Sequence, residues 1–226
     1  MTDPIKLSPS DLTFLWDECK RCFYLKYRHG ITRPAAPFPG IFSKIDRLMK
    51  AYFAGRPSVE INPALPPGQV VYGEKWVESQ PIQVPGHSLS CYIRGKFDTV
   101  IAFDDSSFGV VDFKTAEPRP EFIPFYGRQL HAYCLALEHA AVGKFSLTPV
   151  SRLGLLVVSP EAMMVTASGE IAYLGGVTWI EVPRNDVEFL GFLGDVVGLL
   201  EQPDIPPAAA DCSYCEYRAH ARSHGM

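Results

Sequence analysis

The sequence lacks an apolar run long enough to cross a bilayer. Its first residues, Met1-Thr2-Asp3-Pro4-Ile5-Lys6, also lack the basic-then-apolar pattern of a secretion leader. Both absences point to a cytoplasmic protein with no membrane partner. There is no basic excess either. The net charge is −4, so nucleic-acid binding would need a local basic patch rather than an overall field. Cysteine is scarce, six residues in 226, which argues against a disulfide framework in a cytosolic chain of this size. No internal repeat is evident. What the chain does have is apolar content, 47%, enough for a packed core in one domain spanning residues 1–226.

The most informative stretch runs from Arg94 to Tyr133. Tyr92 to Phe103 reads as a strand, Asp104-Asp105-Ser106-Ser107 as a turn, and Phe108 to Lys114 as a second strand. Folding that hairpin sets Asp98 opposite Asp112, within one residue. Facing carboxylates repel across a ladder, and a divalent cation between them would remove the penalty. Asp112 and Lys114 are two apart and share a strand face. Hard oxygen ligands with open positions suit Mg²⁺ or Mn²⁺. After a loop from Thr115 to Pro124, Phe125 to about Ala141 reads as a helix with Leu130, Tyr133, Cys134 and Leu137 on its inner face. Gln129 and Tyr133 are four apart and share a face. Arg94, Lys96, Lys114, Arg119 and Arg128 gather around this stretch and make a candidate nucleic-acid-binding patch.

An acidic residue two before a lysine is weak alone, since composition yields roughly one or two by chance in such a chain. The order, strand context and following Gln-x-x-x-Tyr make the set stronger. Gly95-Lys96-Phe97-Asp98, Asp112-Phe113-Lys114 and Gln129-x-x-x-Tyr133 resemble the motifs of the PD-(D/E)XK nuclease superfamily, in its RecB-like and CRISPR-associated exonuclease branch. The resemblance covers about residues 7 to 218. It implies an α/β fold of restriction-endonuclease type, with a central mixed sheet flanked by helices. It implies Asp98 and Asp112 as ligands of Mg²⁺ or Mn²⁺, joined by the Phe113 carbonyl, with Lys114 as the catalytic lysine. Gln129 and Tyr133 would position substrate and water. The implied activity is DNA phosphodiester hydrolysis, in company with a helicase or another recombination or defence protein. One departure stands out. Such nucleases often carry a metal-binding His on the second helix, and here Lys44 and Asp46 lie nearest that place. A catalytically inactive nucleic-acid-binding or assembly subunit is therefore the alternative.

The rest of the chain reads as support. Ser8-Pro9-Ser10-Asp11 starts a helix, taken as 8–27. Pro34 to Pro39 is a linker. Ile41 to Phe53 is a helix with Ile45, Leu48, Met49 and Tyr52 apolar. Val70 to Val84 is a strand whose Glu74 or Glu78 could approach the site, and His87 is a surface residue. Arg152 to Ser159, Met163 to Ala167 and Ile171 to Val182 are strands. Asn185 caps a last helix with Val187, Leu190, Leu193, Val197 and Leu200 inside. Cys19-x-x-Cys22 on the first helix and Cys212-x-x-Cys215 in the tail (211–218) offer four thiolates, suited to Zn²⁺ or a 4Fe–4S cluster. Cys91 and Cys134 read as core. The family resemblance favours iron–sulfur, with Cys19, Cys212 and Cys215 matching its cysteines. The usual last cysteine is missing near His220 and Ala221, and Cys22 could replace it. A thiol redox protein is a further rival.

Overall fold

The computed structural model describes residues 3–35, 39–119 and 121–225. The middle of the Pro34–Pro39 linker, Pro120 in the loop before the Gln129 helix, and Met1, Thr2 and Met226 lie outside those residues. The elements in order are β1 (Ile5–Leu7), α1 (Pro9–Glu18), α2 (Lys20–His29), α3 (Gly40–Phe53), α4 (Ser58–Ile61), β2 (Gly68–Gly73), β3 (Trp76–Glu78), β4 (Ile82–Gln83), β5 (Ser90–Lys96), β6 (Thr99–Phe103), β7 (Phe108–Thr115), α5 (Phe122–Glu138), β8 (Val150–Val165), β9 (Ile171–Val182), α6 (Asp186–Glu201) and α7 (Ser213–Ser223).

Strand β7 is central because its sequence is apolar on both faces, as a strand covered on two sides must be. It pairs antiparallel with β6 and parallel with β8, inside a five-stranded sheet ordered β2-β6-β7-β8-β9. A parallel pair needs a crossover, and α5 supplies it. A smaller sheet forms around β5, with β1 parallel to it and β3 and β4 antiparallel. Mixed sheets flanked by helices match the expected class. One large core joins α1, α2, α5 and α6 to the sheets through Phe23, Phe97, Leu130, Leu153 and Leu193. A second lies under α3, where Met49 and Phe53 meet Phe113 and Leu156.

Several sequence expectations need correction. Tyr92 to Phe103 is two strands, because the chain leaves the small sheet at Phe97-Asp98 and enters the large one. Val70 to Val84 is broken into β2, β3 and β4, with Glu74 at a left-handed φ of 49° where the chain turns out of β2. The stretches at 152–159 and 163–167 are one strand, β8. Pro160 is tolerated there because the register shifts between Pro160 and Ala162. The first helix is interrupted at Cys19, whose φ −167° and ψ 110° are extended, and α2 starts anew. On α6 the buried face is Phe189, Leu193, Val196, Val197 and Leu200, while Val187 is 83% exposed. Leu190 also reaches solvent, as do Leu48 and Tyr52 on α3, because Ile45, Met49 and Phe53 form the stripe that meets the sheet. Asn185 does cap α6, its Oδ1 accepting from the Glu188 N–H at 3.1 Å. The outer ends of β8 and β9 form a ribbon with Met163, Val165, Ile171 and Tyr173 exposed. No helix among the described residues is long and apolar enough to cross a membrane.

Candidate active site and thiol cluster

The divided strand explains the site. Thr99 pairs with Val111, so Asp98 falls opposite Asp112 as expected. Because β5 has already turned into the other sheet, β7 loses its ladder partner at that point. The Asp98 side chain fills the gap: its Oδ2 accepts from the Phe113 N–H at 3.0 Å. Its Oδ1 meets Lys50 Nζ at 2.8 Å. Asp112 is buried, and its Oδ2 is ion-paired with Lys114. Gln129 Nε2 donates to Asp112 Oδ1 at 3.2 Å and lies 3.3 Å from the Tyr133 hydroxyl. Tyr133 donates in turn to the Lys96 carbonyl at 2.9 Å, which pins β5 beside the site. Gly95 lies on that same strand, and a Cβ there would come within 2.7 Å of Pro9 and 3.0 Å of the Tyr133 ring. The glycine of the motif is thus required by close packing.

Burial pushes the Asp112 carboxyl up to about 6; the Lys114 ammonium opposes the rise and Asp98 adds to it. Burial works against the charge on Lys114, but Asp112 holds its pKa above the ordinary value. Lys114 Nζ also sits 4.4 Å from the centre of the Tyr126 ring. The buried Gln129 Oε1 makes no hydrogen bond, and Asp112 Oδ2 has only the Lys114 ammonium. A partnerless oxygen beside a pair of acids fits a hard divalent cation. A cleft of about 580 Å³ opens over Asp98 and Lys114 and is lined by Asp46, Lys50 and Tyr126 as well. A larger cavity of about 810 Å³ lies away from it, among Trp16, His87 and α6, and holds no acid pair.

Lys50 was missed by sequence reasoning. It bridges Asp46 at 2.7 Å, Asp98 at 2.8 Å and Glu74 at 3.0 Å. Burial opposes its charge, but Asp46 and Asp98 hold its pKa above the ordinary value. Its signal was available: it follows Asp46 by one helical turn and flanks the buried Met49. Lys44, singled out from sequence, is exposed. Glu74 reaches the site through Lys50, whereas Glu78 pairs with Arg94 and Lys144. His87 is tied to Glu201 at 2.8 Å and is partly buried.

The basic residues divide. Arg94 and Lys96 join Lys6 and Lys26 around a groove of about 560 Å³ that also carries Tyr27 and Trp76 and ends at Tyr133. Arg119 is exposed and pairs with Glu117. Arg128 faces the other way on α5, pairing with Asp17 at 2.7 Å and lying over Phe192. It is not brought to the groove.

The four cysteines do meet. Sγ atoms of Cys19, Cys22, Cys212 and Cys215 all lie within 4.8 Å of one another, a set able to hold a metal ion. Burial raises the Cys22 and Cys215 thiols. Burial acts the same way on Cys19, but N–H groups near Ala209 and Cys22 outweigh it and bring Cys19 down to about 6. Cys91 and Cys134 are buried elsewhere, as expected, and burial pushes both thiols up to about 12.

No curated protein matches the chain. Among solved structures, the crystal structure of SSO0001 superposes with a TM-score of 0.54 at 16% identity, covering 97% of this chain and 86% of that one. That likeness shows a shared fold. A family model for the PD-(D/E)XK nuclease superfamily matches residues 67–220, a span holding Asp98, Asp112, Lys114, Gln129 and Tyr133. The architecture is restriction-endonuclease-like, and the chain belongs to the PD-(D/E)XK nuclease superfamily.

Proposed function

We propose that this nuclease hydrolyses DNA phosphodiester bonds with Mg²⁺ or Mn²⁺, in the manner of the RecB-like branch. The observation that carries the proposal is the buried Asp112, opposite Asp98, with Lys114 against it. Asp98 and Asp112 would hold the cation, with the Phe113 carbonyl as a further donor. When bound, the cation supplies Lewis acidity toward a phosphoryl oxygen. Lys114 orients the attacking water and stabilises charge that grows on the phosphate. Gln129 acts through Asp112, whose carboxylate it aims, and Tyr133 acts through the backbone of β5. Both are positioning residues. The groove beyond Tyr133 supports a strand-binding role: Lys6, Lys26, Arg94 and Lys96 line it, the last three paired with Asp11, Glu78 and Glu74, and the exposed Trp76 offers a ring on which a base stacks. Arg94 and Lys96 would track the phosphates.

A second reading has one observation in its favour. The Lys50 ammonium sits on Asp98 at 2.8 Å, where it competes with a metal, as an inactive nucleic-acid-binding or assembly subunit would permit. Single-turnover cleavage of labelled single-stranded DNA, duplex DNA and RNA, with Mg²⁺ or Mn²⁺, separates the two. The expected result is cleavage of DNA by the wild type and a loss of about 100-fold or more in Lys114→Ala, with circular dichroism showing that the variant is folded. Intact DNA after incubation with wild type, together with retained binding, would leave the inactive subunit.

A further inference from the structure

The thiol cluster carries an inference independent of the nuclease chemistry. The two Cys-x-x-Cys segments are built alike. Cys19 is the N-cap of α2 and Cys22 sits in its first turn; Cys212 is the N-cap of α7 and Cys215 sits in its first turn. Both N-caps are extended, and each cap carbonyl accepts N–H groups of its own helix. Two helix N-termini therefore converge on four sulfurs. Free N–H groups and the positive ends of the helix dipoles favour thiolate there. Arg33, itself ion-paired with Glu18, brings its Nη2 to 3.4 Å from Cys212 Sγ while its guanidinium stacks over the Tyr214 ring. Such surroundings suit a negatively charged cluster.

Distances decide what the cluster fits. Cys19–Cys215, Cys22–Cys212 and Cys22–Cys215 sulfurs are 3.8, 3.7 and 3.6 Å apart. Four ligands at about 2.3 Å from one tetrahedral zinc stand about 3.8 Å from each other. A cubane instead gives each thiolate its own iron corner and splays the sulfurs further apart. The usual fourth cysteine of the iron–sulfur arrangement is also missing beyond Cys215, where Ala221 stands. We propose that Cys19, Cys22, Cys212 and Cys215 hold a single tetrahedral Zn²⁺. Four thiolates and a dication leave two negative charges, which the two helix N-termini and the Arg33 N–H aimed at Cys212 stabilise. The ion clamps the α1–α2 joint to the tail.

The test is metal analysis of the full chain, expressed with iron and zinc both supplied and purified without oxygen. The expected result is about one zinc per chain, negligible iron and no visible absorption. After exchange with Co²⁺, the spectrum should be that of tetrahedral thiolate. About four irons per chain with a broad visible band, or a metal-free protein, would overturn the proposal. Cys22→Ser should lose the ion, but its fold is at risk. Arg33→Gln keeps every thiol, and its zinc should pass to a chromogenic chelator with about tenfold or greater loss of affinity; unchanged affinity would refute the role of Arg33. Cleavage is scored separately, so a chain that retains zinc but leaves DNA intact counts against the nuclease reading alone.

Discussion

Asp112 is the most consequential side chain in the molecule. It is buried, opposite a second acid, and has Lys114 as its counter-charge. Its carboxyl is raised from 3.8 to about 6, with burial as the largest cause. A carboxyl raised by folding penalises the native state only when ionised. The penalty is absent below about pH 3.8, grows as pH rises, and is complete above about pH 6. Neutralising the pair together, Asp112→Asn with Lys114→Gln, should therefore raise the Tm of the metal-free protein at pH 8, with the gain fading toward pH 4. Mn²⁺ should raise the Tm of the wild type and leave the variant unmoved. Thermal melts across pH, with and without Mn²⁺, check both signs. A variant that melts below wild type at pH 8 would mean that the Lys114 pairing outweighs burial.

At the scale of elements, some of this organisation could be read from the chain and some could not. Asp98 opposite Asp112 followed from a turn cluster between two β-rich runs, and the Asn185 cap followed from local chemistry. The split between β5 and β6 did not show, because β propensity is continuous from Tyr92 to Phe103 and the break depends on pairing with two different sheets. Lys50 was legible only as the partner of Asp46 one helical turn before it, since Asp98 and Glu74 are remote in sequence. Arg128 looked like part of a basic patch, and only the packing of α5 on α1 shows that it faces Asp17. Another long-range tie, at the end of α6, gives an element-scale prediction. Glu201 accepts from the Ser88 and Leu89 N–H groups at 2.5 and 2.8 Å and pairs with His87. These contacts, His87 first, pull its pKa from 4.5 to about 2. A depressed carboxylate stabilises the fold above its unfolded value and loses that contribution as pH falls. Glu201→Gln should lower the Tm above about pH 4.5, and the gap should close by about pH 2. A gap independent of pH would show that packing, and not charge, sets the contribution.

For the whole molecule, the long pairing of β8 with β9 has an unused consequence. The register runs from Leu153↔Val182 to Val165↔Ile171, and the tip at Ser168-Gly169 projects where exposed side chains leave room for a break. Two polypeptides, 1–168 and 169–226, would each carry one strand of that ladder. The first would hold both acids, Lys114, Gln129 and Tyr133, and the second would bring β9, α6 and two of the four sulfurs. Co-expressed, the pieces should copurify, and neither alone should cut DNA. Size-exclusion chromatography and the cleavage assay would read both outcomes. The ribbon thus offers a seam for split-protein complementation, turning a nuclease into a reporter that works only when its two halves meet.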